Sequence, residues 1–148
     1  MKRKKILFVC TGNTCRSPMA EALFRAHIKK RNIKWWDVTS RGIHAEVGSG
    51  MSANSKLALQ EAGLSVPDFK SRQLTQKIIE SSVLVITMTD GQKQLLEGCG
   101  KVLSVKDLCG FEIPDPYGMG LDIYRRTRDA LNEACRIIVE KVILKYEE

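Results

Sequence analysis

Cys10 and Arg16 stand in the stretch VCTGNTCRSP with five residues between them, and Ser17 follows directly. A thiol and a guanidinium joined by so short a turn can act together on a tetrahedral anion. Such a turn can wrap the anion with backbone N–H groups pointing inward, while a helix starting at its end adds positive potential. Gly12 allows close backbone approach or a positive φ, and Asn13 also tolerates the left-handed region. Arg16 can grip two oxygens at once through its planar fork. The same field favours a thiolate over a thiol at Cys10. A thiolate beside an oxyanion cradle is equipment for attack on phosphorus. A lone cysteine at a strand end would read as a packed thiol. The glycine, the arginine and the turn around this one point to chemistry instead.

That turn needs a strand to deliver it and a helix to receive it. Ile6–Val9 is a continuous apolar run, as expected of a strand covered on both faces. Pro18 fits the first helical position with Ser17 as N-cap, and the helix is predicted to run to about Lys30. Val38–Ser40 reads as a second strand, and 43–51 (IHAEVGSGM) as a glycine-containing loop. Ser55–Ala62 reads as a helix ended by Gly63, and Thr75–Ser81 as a shorter one. Val83–Met88 is the clearest buried strand. Asp90–Glu97 follows as a helix stopped by Gly98, and Val102–Val105 as a last short strand. Gly110–Gly120, with two prolines and three glycines, is a loop. Leu121–Tyr146 carries apolar residues at 124, 131, 134, 135, 138 and 142, one face of a long helix. The alternation predicts an α/β fold, a parallel sheet flanked by helices. In such sheets ligands bind beyond the carboxyl ends of the strands, where VCTGNTCRSP lies.

Composition narrows the classes. At 148 residues with no repeat or linker, the chain reads as one domain, 1–148, large enough to bury a core without staples. The net charge of +7 favours anionic partners, among them phosphorylated molecules, acidic proteins or nucleic acid, or simply serves solubility. Neither a signal peptide nor a membrane-spanning segment is expected. Five irregularly spaced cysteines suit reduced thiols in a cytoplasmic compartment, and two distant histidines argue against a structural zinc site.

Cys10–Pro18 and its flanks resemble the phosphate loop of the low-molecular-weight protein-tyrosine phosphatases. A second motif, Asp115-Pro116-Tyr117-Gly118, lies on the loop before the last helix as in that family. The resemblance implies a four-stranded parallel sheet with helices on both faces and the phosphate loop after strand 1. It implies Cys10 as nucleophile, Arg16 on the phosphoryl oxygens and Asp115 as general acid, then as base on the hydrolytic water. Asn13 would shape the loop and Ser17 would donate to the thiolate. Thr11, Gly12, Asn13, Thr14, Cys15, Ser17 and Tyr117 would form the substrate site. No metal or cofactor is implied, and the partners would be phosphorylated proteins. Without the family, Asp115 is equally a good turn residue.

Several positions depart from the tyrosine-specific pattern. Thr14 stands where those members carry a bulky aliphatic residue, whereas the branch resembling protein-arginine phosphatases carries threonine. A hydroxyl there suits the nitrogen side of a phosphoguanidinium or an attacking water; in a turn, threonine is also plain filler. The loop 43–51 has no aromatic residue, and Gly118 replaces the second tyrosine of DPYY, which leaves Tyr117 as one wall. These changes favour phosphoarginine over phosphotyrosine. Phe69 stands where relatives often have a histidine supporting the phosphate loop, which leaves open how Asn13 and Ser40 are held. Cys15 could pair with Cys10 on oxidation, or simply pack. Arsenate reduction, a sister activity, needs two further cysteines close after the third strand, but Cys99 and Cys109 come later. A nucleic-acid module would use MKRKK and Lys29–Trp36, yet aromatic residues are only 6% of the chain, few for a stacking groove. A phosphate-binding protein without catalysis would keep Arg16 but would have no use for both Cys10 and Asp115.

Overall fold

The computed structural model describes residues 3–96 and 98–146. Met1 and Lys2 of the basic start, and Glu97 at one predicted helix end, lie outside them. Strands β1 (Lys4–Cys10), β2 (Trp36–Gly42), β3 (Leu84–Thr87) and β4 (Val102–Ser104) form one sheet in the order β2-β1-β3-β4. All neighbours are parallel, and β1 pairs with β2 from Lys4–Trp36 to Cys10–Gly42. β1 is therefore interior, which is why its residues from Ile6 onward are apolar on both faces and buried. Phe8, Val38 and Ile86 face α1 (Arg16–Lys30) and α6 (Leu121–Ile138), where most of the core lies. Leu7, Val9 and Val85 face the other way, against Ile79 of α3 (Gln76–Glu80) and Leu96 just beyond α4 (Asp90–Gln94). Helices on both faces of a parallel sheet match the predicted class.

The departures are local. Ser17 is not the N-cap: α1 starts at Arg16 behind Cys15, with no side-chain cap, and Ser17 turns inward to Cys10. Ser17 is thus committed to the site rather than to helix initiation. β4 stops at Ser104 because Ser104 caps an additional short helix, α5 (Val105–Cys109), reciprocally with Asp107. α2 (Ala53–Glu61) starts two residues early on a Ser52 cap. The last helix passes through one wider turn at Val139–Ile143 before ending as Leu144–Tyr146. That turn carries an extra residue, so the fully buried position moves from the predicted 142 to Ile143, with Val139 also inside.

Candidate active site

The loop between β1 and α1 is anchored from three sides. Thr11 O accepts from His44 N at 2.9 Å, Thr14 O accepts from Ser52 N at 2.9 Å, and Gln92 Nε2 donates to Thr11 Oγ1 at 3.2 Å. The left-handed residue is Asn13, at φ 59°, and not Gly12. A Cβ at Gly12 would meet only Thr14 Oγ1, at 3.7 Å, so that stretch of backbone faces open space.

Asn13 is wholly buried and its amide is fully used. Nδ2 donates to Ser17 Oγ at 2.9 Å and to Ser40 Oγ at 3.0 Å, and Oδ1 accepts from Arg72 N at 2.9 Å. Ser17 Oγ lies 2.8 Å from Cys10 Sγ, and Asn13 N donates to that sulfur at 3.3 Å. Because Ser17 Oγ already accepts from Asn13, its own proton is free to point at the sulfur. Two hydrogen-bond partners, Ser17 Oγ and Asn13 N, therefore converge on the Cys10 sulfur.

Below lies the buried carboxylate of Glu21. Ser40 Oγ donates to its Oε1 at 2.9 Å, Arg72 Nη2 to the same oxygen at 3.0 Å, and Arg25 Nη1 to Oε2 at 3.3 Å. The Arg72 guanidinium sits 5.7 Å from the Phe69 ring centroid. Phe69 thus steadies Arg72, whose backbone and side chain hold Asn13 and, through Glu21, Ser40. Arg72 Nε is the one buried side-chain polar atom with no partner among the described residues. Glu21, Arg72 and Gly42 escape a motif search because no short spacing links them to Cys10. A Cβ on Gly42 would come within 2.8 Å of Thr11 O and 3.0 Å of Asn13 Cβ, so only glycine fits under the loop. The one local hint is a glycine two residues beyond the predicted second strand.

Arg16, the other predicted anion ligand, is buried and aimed by the distant loop: Nη1 donates to Ile113 O at 2.9 Å. Ile113 N in turn donates to Met88 O at the end of β3, which fastens that loop to the sheet. Asp115 follows two residues later, with Oδ2 3.8 Å from Arg16 Nη2 and a side chain 54% exposed. Its other oxygen accepts from Tyr117 N at 3.0 Å, a turn contact. Tyr117 is 79% exposed. Cys15 is a free thiol, as is Cys10; its sulfur reaches Ser52 Oγ at 3.4 Å and Tyr124 OH at 3.5 Å. Burial, reinforced by Cys15, pushes the Tyr124 hydroxyl up to about 12. Cys99 and Cys109 pack into different cores.

Residues 5–147 match the family described as low molecular weight phosphotyrosine protein phosphatase. The chain belongs to that family. Its relatives include a protein-arginine-phosphatase of Bacillus subtilis, 36% identical over 145 residues, which span 93% of this chain and 95% of the relative. A low-molecular-weight protein-tyrosine-phosphatase of Staphylococcus haemolyticus is 36% identical over 133 residues, 86% of this chain and 91% of its own. The solved arginine phosphatase of Geobacillus stearothermophilus superposes with a TM-score of 0.86 at 35% identity, covering 96% and 94% of the two chains. Like other members, this chain is a cysteine-based protein phosphatase. Among the described residues, no helix is long and apolar enough to cross a membrane.

Proposed function

We propose that this phosphatase hydrolyses phosphorylated protein side chains through a phosphocysteine at Cys10, and that phosphoarginine is preferred over phosphotyrosine. The observation that carries the mechanism is the convergence of Ser17 Oγ and Asn13 N on Cys10 Sγ, with Arg16 pinned beside the same loop. In the first step the Cys10 sulfur attacks phosphorus, and the bond from phosphorus to the side-chain nitrogen or oxygen breaks. Asp115 gives its proton to that leaving atom. Arg16 and the loop N–H groups not spent on the sulfur hold the phosphoryl oxygens as charge builds on them. In the second step water attacks phosphorus, Asp115 takes its proton, and the Cys10 thiolate leaves with phosphate. Tyr117 forms a wall for the substrate side chain. No metal or cofactor enters either step. Five free thiols fit a reducing, cytoplasm-like compartment.

Thr14 supports the substrate preference. Its carbonyl is used by Ser52, whereas among the described residues its hydroxyl meets only the Cys15 sulfur, at 3.8 Å. The hydroxyl is therefore uncommitted at the rim of the loop, available to a guanidinium nitrogen. The named arginine phosphatases among the relatives lend weight in the same direction. Arsenate reduction is disfavoured because Cys99 and Cys109 lie in separate cores and cannot pass a disulfide along from Cys10 without rearrangement.

The test is kcat/KM on phosphoarginine and phosphotyrosine peptides of matched sequence, for wild type, Cys10→Ser and Thr14→Ile. Cys10→Ser is expected to abolish both activities. Thr14→Ile is expected to lower phosphoarginine turnover about ten-fold or more, the scale of a lost hydrogen bond to a charged partner, while phosphotyrosine turnover holds or rises. A wild type that prefers phosphotyrosine, with a ratio unmoved by Thr14→Ile, would assign this protein to the tyrosine phosphatases.

A further inference from the structure

The opposite end of the sheet carries a concavity of its own. Its volume is about 390 Å³, and it opens between the start of β1, the start of β2 and the last turns of α1. Six residue steps along β1 separate Lys4 from Cys10, roughly 20 Å at a rise of about 3.3 Å per residue. The cavity is thus distinct from the phosphate loop.

Four cations line it: Arg3, Arg25, Lys29 and Lys34. Two are set in place by backbone oxygens, Arg3 Nη1 donating to Trp36 O at 3.4 Å and Arg25 Nη2 to Val38 O at 2.9 Å. Lys29 and Lys34 are exposed and, among the described residues, have no acidic partner. Asp37, the one carboxylate among the described lining residues, spends an oxygen on Val38 N at 2.8 Å. Glu21 offsets part of Arg25, so an uncompensated charge of about two remains among the described residues.

The wall of this cavity is aromatic, and its backbone is unusual. Trp35 lines it and is 48% exposed, while its neighbour Trp36 is buried in the core. Trp35 holds φ at 70°, a left-handed conformation rare for a bulky side chain, and Asn32 in the same turn has φ 54°. The turn is locked by Lys4 N, which donates to Trp35 O at 2.8 Å. Residues held in such conformations cluster at ligand sites. Here the winding directs one tryptophan to the core and keeps the other at the rim. Ile28 and Ile33 supply an apolar base between rim and ring.

An aromatic face beside clustered cations recognises a base joined to phosphates: stacking for the ring, charge-assisted hydrogen bonds for the oxygens. The volume falls in the range of about 300–1,000 Å³ that takes one small molecule, and is too small for several stacked bases. We propose that this cavity binds a nucleoside diphosphate or triphosphate, with the base on Trp35 and the phosphates among Arg3, Arg25, Lys29 and Lys34. The site is independent of the phosphatase reading.

The test titrates the full-length protein with ADP, followed by tryptophan fluorescence and calorimetry. A saturable quench is expected, together with ADP affinity at least ten-fold above that of adenosine or pyrophosphate. The double variant Lys29→Glu/Lys34→Glu should weaken ADP at least ten-fold without altering p-nitrophenyl phosphate turnover, since neither lysine touches the phosphate loop. Absence of a saturable quench would overturn the proposal. So would unchanged affinity in the double variant. Competitive inhibition of p-nitrophenyl phosphate hydrolysis by ADP, at a Ki equal to its Kd, would move ADP to the phosphate loop. Affinity that climbs with the length of a single-stranded oligonucleotide would make the surface a nucleic-acid platform instead.

Discussion

Replacing Asn13 separates two things this residue does. Its side chain makes three hydrogen bonds inside the protein, to Ser17, Ser40 and the Arg72 backbone, and its backbone sits at φ 59°. Asn13→Gly removes the bonds but accepts the backbone freely; Asn13→Ala removes the same bonds and also places a Cβ in the left-handed region. At a net value of about 1 kcal/mol per bond, glycine should lose about 3 kcal/mol of stability. Alanine should lose about 1 kcal/mol more. Both are large against a typical total of about 5–15 kcal/mol. The effect on catalysis comes through Ser17, which loses the donor that orients its proton towards Cys10, so kcat should fall in both variants. Guanidinium denaturation with unchanged slope reads the stability, and p-nitrophenyl phosphate hydrolysis reads the turnover. If Asn13→Gly stays within about 1 kcal/mol of wild type and keeps full kcat, the buried network does not hold the loop. If glycine proves less stable than alanine, the backbone argument is wrong.

Arg16→Lys should nearly eliminate turnover, because a single ammonium can replace neither the fork on the phosphoryl oxygens nor the bond to Ile113 O; wild-type kcat/KM would exclude the clamp. Asp115→Asn should slow aryl phosphates with poor leaving groups by about 10²–10⁴-fold and activated ones far less, as read from the dependence of kcat on leaving-group pKa. Equal losses on both would make Asp115 structural. Tyr124 gives a pH signature. Its hydroxyl is held at about 12 in the folded state against an ordinary value of 10, so the folded form keeps a proton that the unfolded form loses. The stability this contributes is complete below pH 10 and disappears as the pH rises through 12. Tyr124→Phe should therefore flatten the fall in denaturation midpoint over that window, and an unchanged slope would contradict it.

The chemistry-bearing turn was legible because its signals are local. A glycine, an asparagine, a thiol and a guanidinium packed between an apolar run and a helix former have few other uses, and the parallel sheet follows from the same alternation. Boundaries were less legible where one residue had two possible tasks. Ser17 has the side chain of an N-cap, and only the fold shows that Cys10 and Asn13 claim it. Ser104 ends a strand because it caps a helix that no periodicity announced. What holds the loop came entirely from tertiary structure. Glu21, Ser40, Gly42 and Arg72 lie on α1, on β2 and in the segment after α2, separated in sequence by up to 51 positions. A long-range hydrogen bond leaves no spacing to read, since each partner alone is an ordinary helix, strand or loop residue. Phe69 is visible in the chain, but that its ring lies against Arg72, and Arg72 in turn against Glu21, is decided only by which side chains the fold brings together. Sequence alone determined the candidate reacting groups; packing determined how they are oriented.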